Sequence, residues 1–176
     1  GIQLWEVLIK NGNQFGLTPY GTEAMHVLRA ERGFIIVGQE TDGTVSPIDL
    51  GMDWIISKKK KDFIGKRSLE RASMKQNDRK ELVGLLSDDP NTVIPEGAHA
   101  IDEKDLELEE KNILGHVTSS YFSSNCKRSI AMALIKNGRA RKGNKLVIPL
   151  LNGDKIKAKI VNPVFFDPNG VRKNGI

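Results

Sequence analysis

The stretch Leu146-Val147-Ile148-Pro149-Leu150-Leu151-Asn152-Gly153-Asp154-Lys155-Ile156-Lys157-Ala158-Lys159-Ile160-Val161 decides the fold. Two strand-like runs flank Asn152-Gly153, a dipeptide favoured in tight hairpins because both residues tolerate positive φ. In the second run Lys155, Lys157 and Lys159 alternate with Ile156, Ala158 and Ile160. Successive strand side chains point to opposite faces, so this run predicts a strand with one wet and one buried face.

Further runs of the same kind lie upstream, at Glu81 to Leu86, Ile113 to Tyr121 and Ser129 to Ile135, each bounded by turn residues. The last is apolar on both faces, as a central strand covered on both sides would be. Five or six short strands in about 100 residues predict a small antiparallel barrel or sandwich.

Before Lys80 the texture differs. Ile2, Leu4, Trp5, Leu8 and Ile9 share one helical face, and Asn11-Gly12 is a left-handed stop. A chain that opens inside an amphipathic helix is expected to be a piece of something longer. A second helix is predicted from Thr22 to about Arg32, with Ala24, Val27 and Leu28 on one face and Gly33 as its stop. Phe34 to Val37 and Met52 to Ile56 read as short strands, and Asp62 as the cap of a short helix through Leu69 and Ala72. The fold class is therefore α+β, with a boundary near residue 78 between an α+β part (1–78) and a β part (79–176).

The 176 residues are 39% hydrophobic and 28% charged, an ordinary globular composition. No apolar run approaches the ~18 residues of a membrane span. The single cysteine, Cys126, cannot form an intrachain disulfide, and together with the lack of a secretory signal it points to a reducing, cytoplasmic setting. Charge is unevenly spread. Residues 1–86 carry 13 basic and 11 acidic side chains (net +2), 87–110 carry 1 and 9 (net −8), and 111–176 carry 13 and 2 (net +11). The acidic stretch, with Asp102-Glu103-Lys104-Asp105 and Glu109-Glu110, reads as a solvated loop. The basic third has only Tyr121, Phe122, Phe165 and Phe166 as stacking groups, none interleaved with a basic cluster, so no nucleic-acid partner is expected.

No metal site is expected, because His26, His99, His116 and Cys126 are scattered and a zinc centre needs about four converging ligands. Nothing near Cys126 would lower its pKa. Lys58 to Lys61 read as a solvated basic loop, and Phe165-Phe166-Asp167 either as lining a site or as a terminal strand packing its aromatics. Arg29 stands out. It lies one residue after Leu28 on the core-adjacent flank of the second helix, and a guanidinium there can hold a carboxylate in a two-pronged hydrogen bond. The alternatives are an ion pair with Glu31 or Glu23, or simple exposure.

Several ordered blocks carry a resemblance. They are Gly16-Leu17-Thr18-Pro19-Tyr20-Gly21, Leu28-Arg29-Ala30-Glu31-Arg32-Gly33, Gly38-Gln39-Glu40-Thr41, Ser46-Pro47-Ile48-Asp49-Leu50-Gly51 and Asp62-Phe63-Ile64-Gly65-Lys66. Gly115-His116-Val117-Thr118-Ser119-Ser120, Ile130-Ala131-Met132-Ala133-Leu134 and Pro163-Val164-Phe165-Phe166-Asp167-Pro168 follow. Together they resemble the glycine cleavage T-protein (aminomethyltransferase) family, and most of all its sarcosine oxidase α-subunit branch. The resemblance implies the C-terminal part of a tetrahydrofolate-binding domain followed by a β-barrel. It implies Arg29, the arginine of the family's Leu-Arg-x-Glu motif, as a folate contact. Where Val37 stands, the T-protein branch often has tyrosine, so a polar contact would be missing here. The family's catalytic aspartate and pterin-contacting segment would lie upstream, so no catalytic residue is assigned. FAD, FMN and NAD would belong elsewhere in such a complex, whose other subunits are the implied partners. A homodimer through the first helix is a further expectation.

Overall fold

The computed structural model describes residues 1–106, 108 and 112–174. Among them six strands close into one barrel: β1 (Lys80–Ser87), β2 (His99–Asp102), β3 (Ile113–Ser123), β4 (Arg128–Lys136), β5 (Lys145–Pro149) and β6 (Lys155–Val161). The order around the barrel is β1-β4-β3-β2-β5-β6, and every neighbouring pair is antiparallel. Three α-helices precede it: α1 (Ile2–Gly12), α2 (Thr22–Glu31) and α3 (Lys66–Leu69). No helix among the described residues is long and apolar enough to cross a membrane.

The barrel interior is filled by Val83, Leu85, Ala131, Ala133, Ile135, Ile148, Ile156, Ala158, Ile160 and their neighbours. β6 alternates as its sequence requires, with the isoleucines and alanine inward and the lysines outward. β4 is buried on both faces for a different reason on each. Ala131, Ala133 and Ile135 face the interior, whereas Ile130, Met132 and Leu134 lie on the outside beneath Ala30 of α2. Two glycines permit close backbone approach. A Cβ on Gly115 would stand 1.8 Å from the carbonyl oxygen of Leu134. One on Gly84 would meet the Asn162 carbonyl and the Phe165 ring.

The β5–β6 hairpin is looser than a two-residue turn. Leu150 N–H donates to the Asp154 carbonyl at 2.8 Å and Gly153 N–H to the Leu150 carbonyl at 3.1 Å. Of the central pair only Gly153 has positive φ (88°), so a single left-handed residue closes a longer loop.

Four local expectations fail. Asn11-Gly12 is not a left-handed stop: Gly12 is right-handed at φ −78°, and the chain runs on through a 3-10 turn (Asn13–Phe15) to Gly16, which takes the left-handed conformation at φ 71°. Phe34 to Val37 is not a buried strand: Phe34 is 61% and Val37 85% exposed. The Ile36 carbonyl instead accepts from Gln39 and Glu40 N–H, which turns the chain. Met52 to Ile56 contains a 3-10 turn at Asp53–Ile55, not a strand. Asp62 does not cap a helix. Its carboxylate takes the adjacent Phe63 N–H, and the short α3 starts after Gly65, at φ 94°.

The acidic stretch is not simply a solvated loop either. Asp102 ends β2, and Glu103–Asp105 form a 3-10 turn. Asp88 pairs with Lys145 (2.7 Å), Asp102 with Arg141 (3.1 Å) and Glu103 with Lys157 (2.5 Å). Barrel closure thus brings acidic and basic segments into contact. Glu109-Glu110 lie outside the described residues.

Candidate functional site

The site forms where α2 crosses the outside of the barrel. Helical geometry puts Arg29 and Ala30 on the barrel side of α2, and both are buried. A strap after β6 presses the helix end down. Phe165 and Phe166 N–H groups donate to the Glu31 carbonyl at 2.9 and 3.0 Å, and Arg32 pairs with Asp167 at 3.2 Å. Gly33, at φ 69°, fits under the strap because it has no Cβ, which would stand 2.8 Å from the Pro163 carbonyl oxygen.

Arg29 is surrounded by acceptors. Its Nη1 donates to Glu40 Oε2 at 2.9 Å and to the Phe34 carbonyl at 3.2 Å. Its Nη2 donates to Ser119 Oγ at 2.6 Å, Gln39 Oε1 at 3.1 Å and the Tyr121 hydroxyl at 3.4 Å. Its Nε is buried and has no partner among the described residues. The guanidinium carbon lies 5.8 Å from the centre of the Tyr121 ring. The His26 ring is tilted at 43° to the Tyr121 ring, with centroids 6.5 Å apart.

Glu40 has no exposed surface. Its carboxylate receives the Ile36 N–H at 2.8 Å, the Arg29 guanidinium and the Ser119 hydroxyl. It therefore ties α2, the 34–40 loop and β3 into one polar knot, with the hydrogen bonds that a buried charge requires. Glu31, also buried, accepts from Ser123 Oγ at 2.5 Å and Asn125 Nδ2 at 2.8 Å. The ion-pair partner of Arg29 is thus Glu40, not Glu31 or Glu23.

Glu40, Ser119, Gln39 and Tyr121 were not separately readable as site residues. Their only signal is membership of the blocks Gly38 to Thr41 and Gly115 to Ser120. The other singled-out residues stay apart from this knot, save His26. His99 and His116 pair across β2 and β3, and Cys126 sits in the β3–β4 turn. Among the described residues no group of three His, Cys, Asp or Glu is placed to hold a metal. Lys58 to Lys61 are exposed. Phe165 packs on the outer barrel cluster from an irregular segment, not a strand, and with Phe166 also lines a cavity beside Cys126 and Arg128. A cavity of about 700 Å³ lies beside the site, lined by Arg32, Phe34, Leu50, Trp54 and Val164 among others, and Arg29 does not line it.

Two descriptions of known domains match the chain: the GCVT N-terminal domain over residues 1–60 and the glycine cleavage T-protein C-terminal barrel domain over residues 80–167. The chain is 48% identical over 176 residues to the sarcosine oxidase subunit alpha of a Corynebacterium species (strain P-1), covering 99% of this chain and 18% of that protein. It is 30% identical to an aminomethyltransferase of Thermoanaerobacter pseudethanolicus, covering 96% of this chain and 43% of the relative. The crystal structure of the glycine cleavage system aminomethyltransferase T from Bartonella henselae superposes with a TM-score of 0.79 at 24% identity, over 96% of this chain and 44% of that one, which establishes likeness of fold. The chain spans under a fifth of the length of the sarcosine oxidase subunits it matches, and less than half of the aminomethyltransferases. Both parts of the molecule thus carry one family's pattern, and the chain belongs to the glycine cleavage T-protein family.

Proposed function

We propose that this chain is the rear part of a tetrahydrofolate-binding module in a protein of the sarcosine oxidase α-subunit type. The observation that carries the reading is the 48% identity to such a subunit along nearly the whole chain. In this reading residues 1–78 belong to the folate-binding domain and 79–176 to its barrel. Tetrahydrofolate, when bound, captures the one-carbon unit released by oxidative demethylation of sarcosine as 5,10-methylenetetrahydrofolate. The residues of this chain bind and orient the cofactor's tail. FAD, FMN and NAD serve the oxidation elsewhere in the complex, together with the other subunits. The exposed apolar side chains of α1, among them Ile2, Leu4, Trp5 and Leu8, offer a contact face for the rest of such an assembly or for a second copy.

Arg29 is the folate-site residue of this chain. Beside it the half-buried Gln39 and Tyr121 present polar groups that suit the acceptor-rich p-aminobenzoyl-glutamate tail. Calorimetric titration of folinic acid into the intact α subunit that contains this chain tests this; the 176 residues alone are expected to bind weakly or not at all. Loss of a charge-assisted contact costs roughly 1.5–3 kcal/mol, so Arg29→Ala is expected to weaken binding at least about tenfold. Equal affinity in a folded variant removes Arg29 from the site. Absence of binding in the unsubstituted protein removes the folate reading itself.

A further inference from the structure

We propose that a second cavity, on the outer face of the barrel sheet, binds a small oxyanion, a phosphate or a carboxylate, between Lys80, Lys136 and His116. It shares no lining residue with the Arg29 knot and does not rest on the folate reading.

The cavity holds about 270 Å³ and is walled by Lys80, His116, Leu134 and Lys136 of the sheet and by residues of the 42–45 and 76–79 loops. Strand register builds its floor. Lys80 of β1 stands directly opposite Lys136 of β4. Leu134 stands opposite His116 of β3, and His116 opposite His99 of β2. Leu82 and Leu134 belong to the cluster outside the barrel, so the period of two puts Lys80 and Lys136 on that face as well. Directly opposite residues share a face, which adds His116 and His99. Four adjacent strands thus carry a row of two lysines and two histidines.

Such a row calls for a countercharge, because like charges directly opposite each other destabilise a sheet. Lys145 of β5 and Lys157 of β6 have carboxylate partners. Lys80 and Lys136 have none among the described residues. Asp42 and Asp78 also line the cavity, yet neither reaches a lysine. Asp42 is engaged by the Thr44 N–H at 2.7 Å and the Thr44 hydroxyl at 2.6 Å. Arg79 is committed to Asp49 and to the Thr44 carbonyl. Burial, then the charges of Lys80 and His99, lower the pKa of half-buried His116 against the pull of Asp42, so positive charge prevails at the imidazole.

A bound oxyanion supplies what the row lacks. The two ammonium groups meet its charge, and the imidazole donates an N–H to it. The cavity is smaller than the ~300–1,000 Å³ of sites for drug-sized molecules, so the ligand is small.

The test is lysine acetylation by an N-hydroxysuccinimide ester, read residue by residue by peptide mass spectrometry on the intact protein that contains this chain. Ionic strength is fixed with sodium chloride while phosphate, acetate or sulfate is varied to about 50 mM. Phosphate or acetate is expected to slow labelling of Lys80 and Lys136 about threefold or more relative to exposed Lys155, the control. Protection by phosphate alone assigns a phosphoryl ligand, and protection by acetate a carboxylate. Lys136→Gln is expected to abolish the protection of Lys80. With sulfate, whose charge is constant, protection is expected to grow as pH falls from about 7.5 to 6, since a bound anion favours protonated His116, and His116→Gln is expected to flatten that trend. The proposal is overturned if no anion protects, or if Lys155 is protected equally. It is also overturned if Lys136→Gln leaves the protection of Lys80 intact, or if His116→Gln leaves the pH trend unchanged.

Discussion

The Arg29 guanidinium and the Glu40 carboxylate meet at 2.9 Å, the arginine 9% exposed and the glutamate not exposed at all. One belongs to a helix and the other to an irregular loop, and Ser119 of the barrel bonds to both. Through Ser119 the pair ties the front part of the molecule to the barrel. Removing one member leaves a buried charge without its partner. Arg29→Ala and Glu40→Ala are each expected to cost about 3–5 kcal/mol in urea denaturation. The double substitution Arg29→Met with Glu40→Leu is expected to recover much of that loss, because no orphaned charge remains.

Gly115 is a steric prediction. A Cβ there would lie 1.8 Å from a backbone oxygen of β4, and a strand backbone in the barrel has no room to retreat. Gly115→Ala is expected to lose at least ~3 kcal/mol or to abolish folding. Gly43→Ala is the control. Its Cβ meets nothing within 4 Å, so its urea midpoint is expected to stay within about 0.5 kcal/mol of the parent.

His116 makes stability depend on mild acid. Burial, then the charges of Lys80 and His99, push its pKa below the usual 6.5, against the opposing pull of Asp42. The folded state binds its proton less readily than the unfolded chain. Stability is therefore full above about pH 6.5 and declines as pH falls below it toward the folded pKa. His116→Gln is expected to flatten this limb in denaturation curves taken across that range.

Asp49 acts at lower pH. Burial works against its charge, but hydrogen bonds from the Arg79 guanidinium and from Ser46 outweigh it and hold the carboxyl below its usual 3.8. Arg79 Nε donates to Oδ1 at 2.8 Å, and Ser46 N–H to Oδ2 at 2.7 Å. A depressed carboxylate pKa contributes stability that is present above the unfolded value and lost as pH falls through the folded one. Asp49→Asn is expected to lower the melting temperature near neutral pH and to shrink the difference from the parent below about pH 3.

Much of the fold was legible because period and punctuation were strong. Lys155–Val161 is a strand with the bounds its alternation gave, and β4 had to be central because it is apolar at nearly every position. β2 escaped notice because it has only four residues and ends in an acidic run. Phe34 to Val37 looked like strand because of its apolar residues. Glu40 overrides that local preference by drawing the Ile36 N–H to a buried carboxylate.

The site divides in the same way. Arg29 could be singled out from its place on a helix flank and from a family motif. Its partners stand 10, 11, 90 and 92 residues away in the chain. Nothing local announces such a set.

By itself the sequence determined the two textures, the helical front and the alternating strands behind it, since periodicity and turn chemistry are local properties of the chain. Only the tertiary structure decided that a cation on the front would be countered by Glu40, and that acidic and basic segments would pair across the barrel. Long-range electrostatic partners are chosen by barrel closure and strand register, which no short window of residues contains.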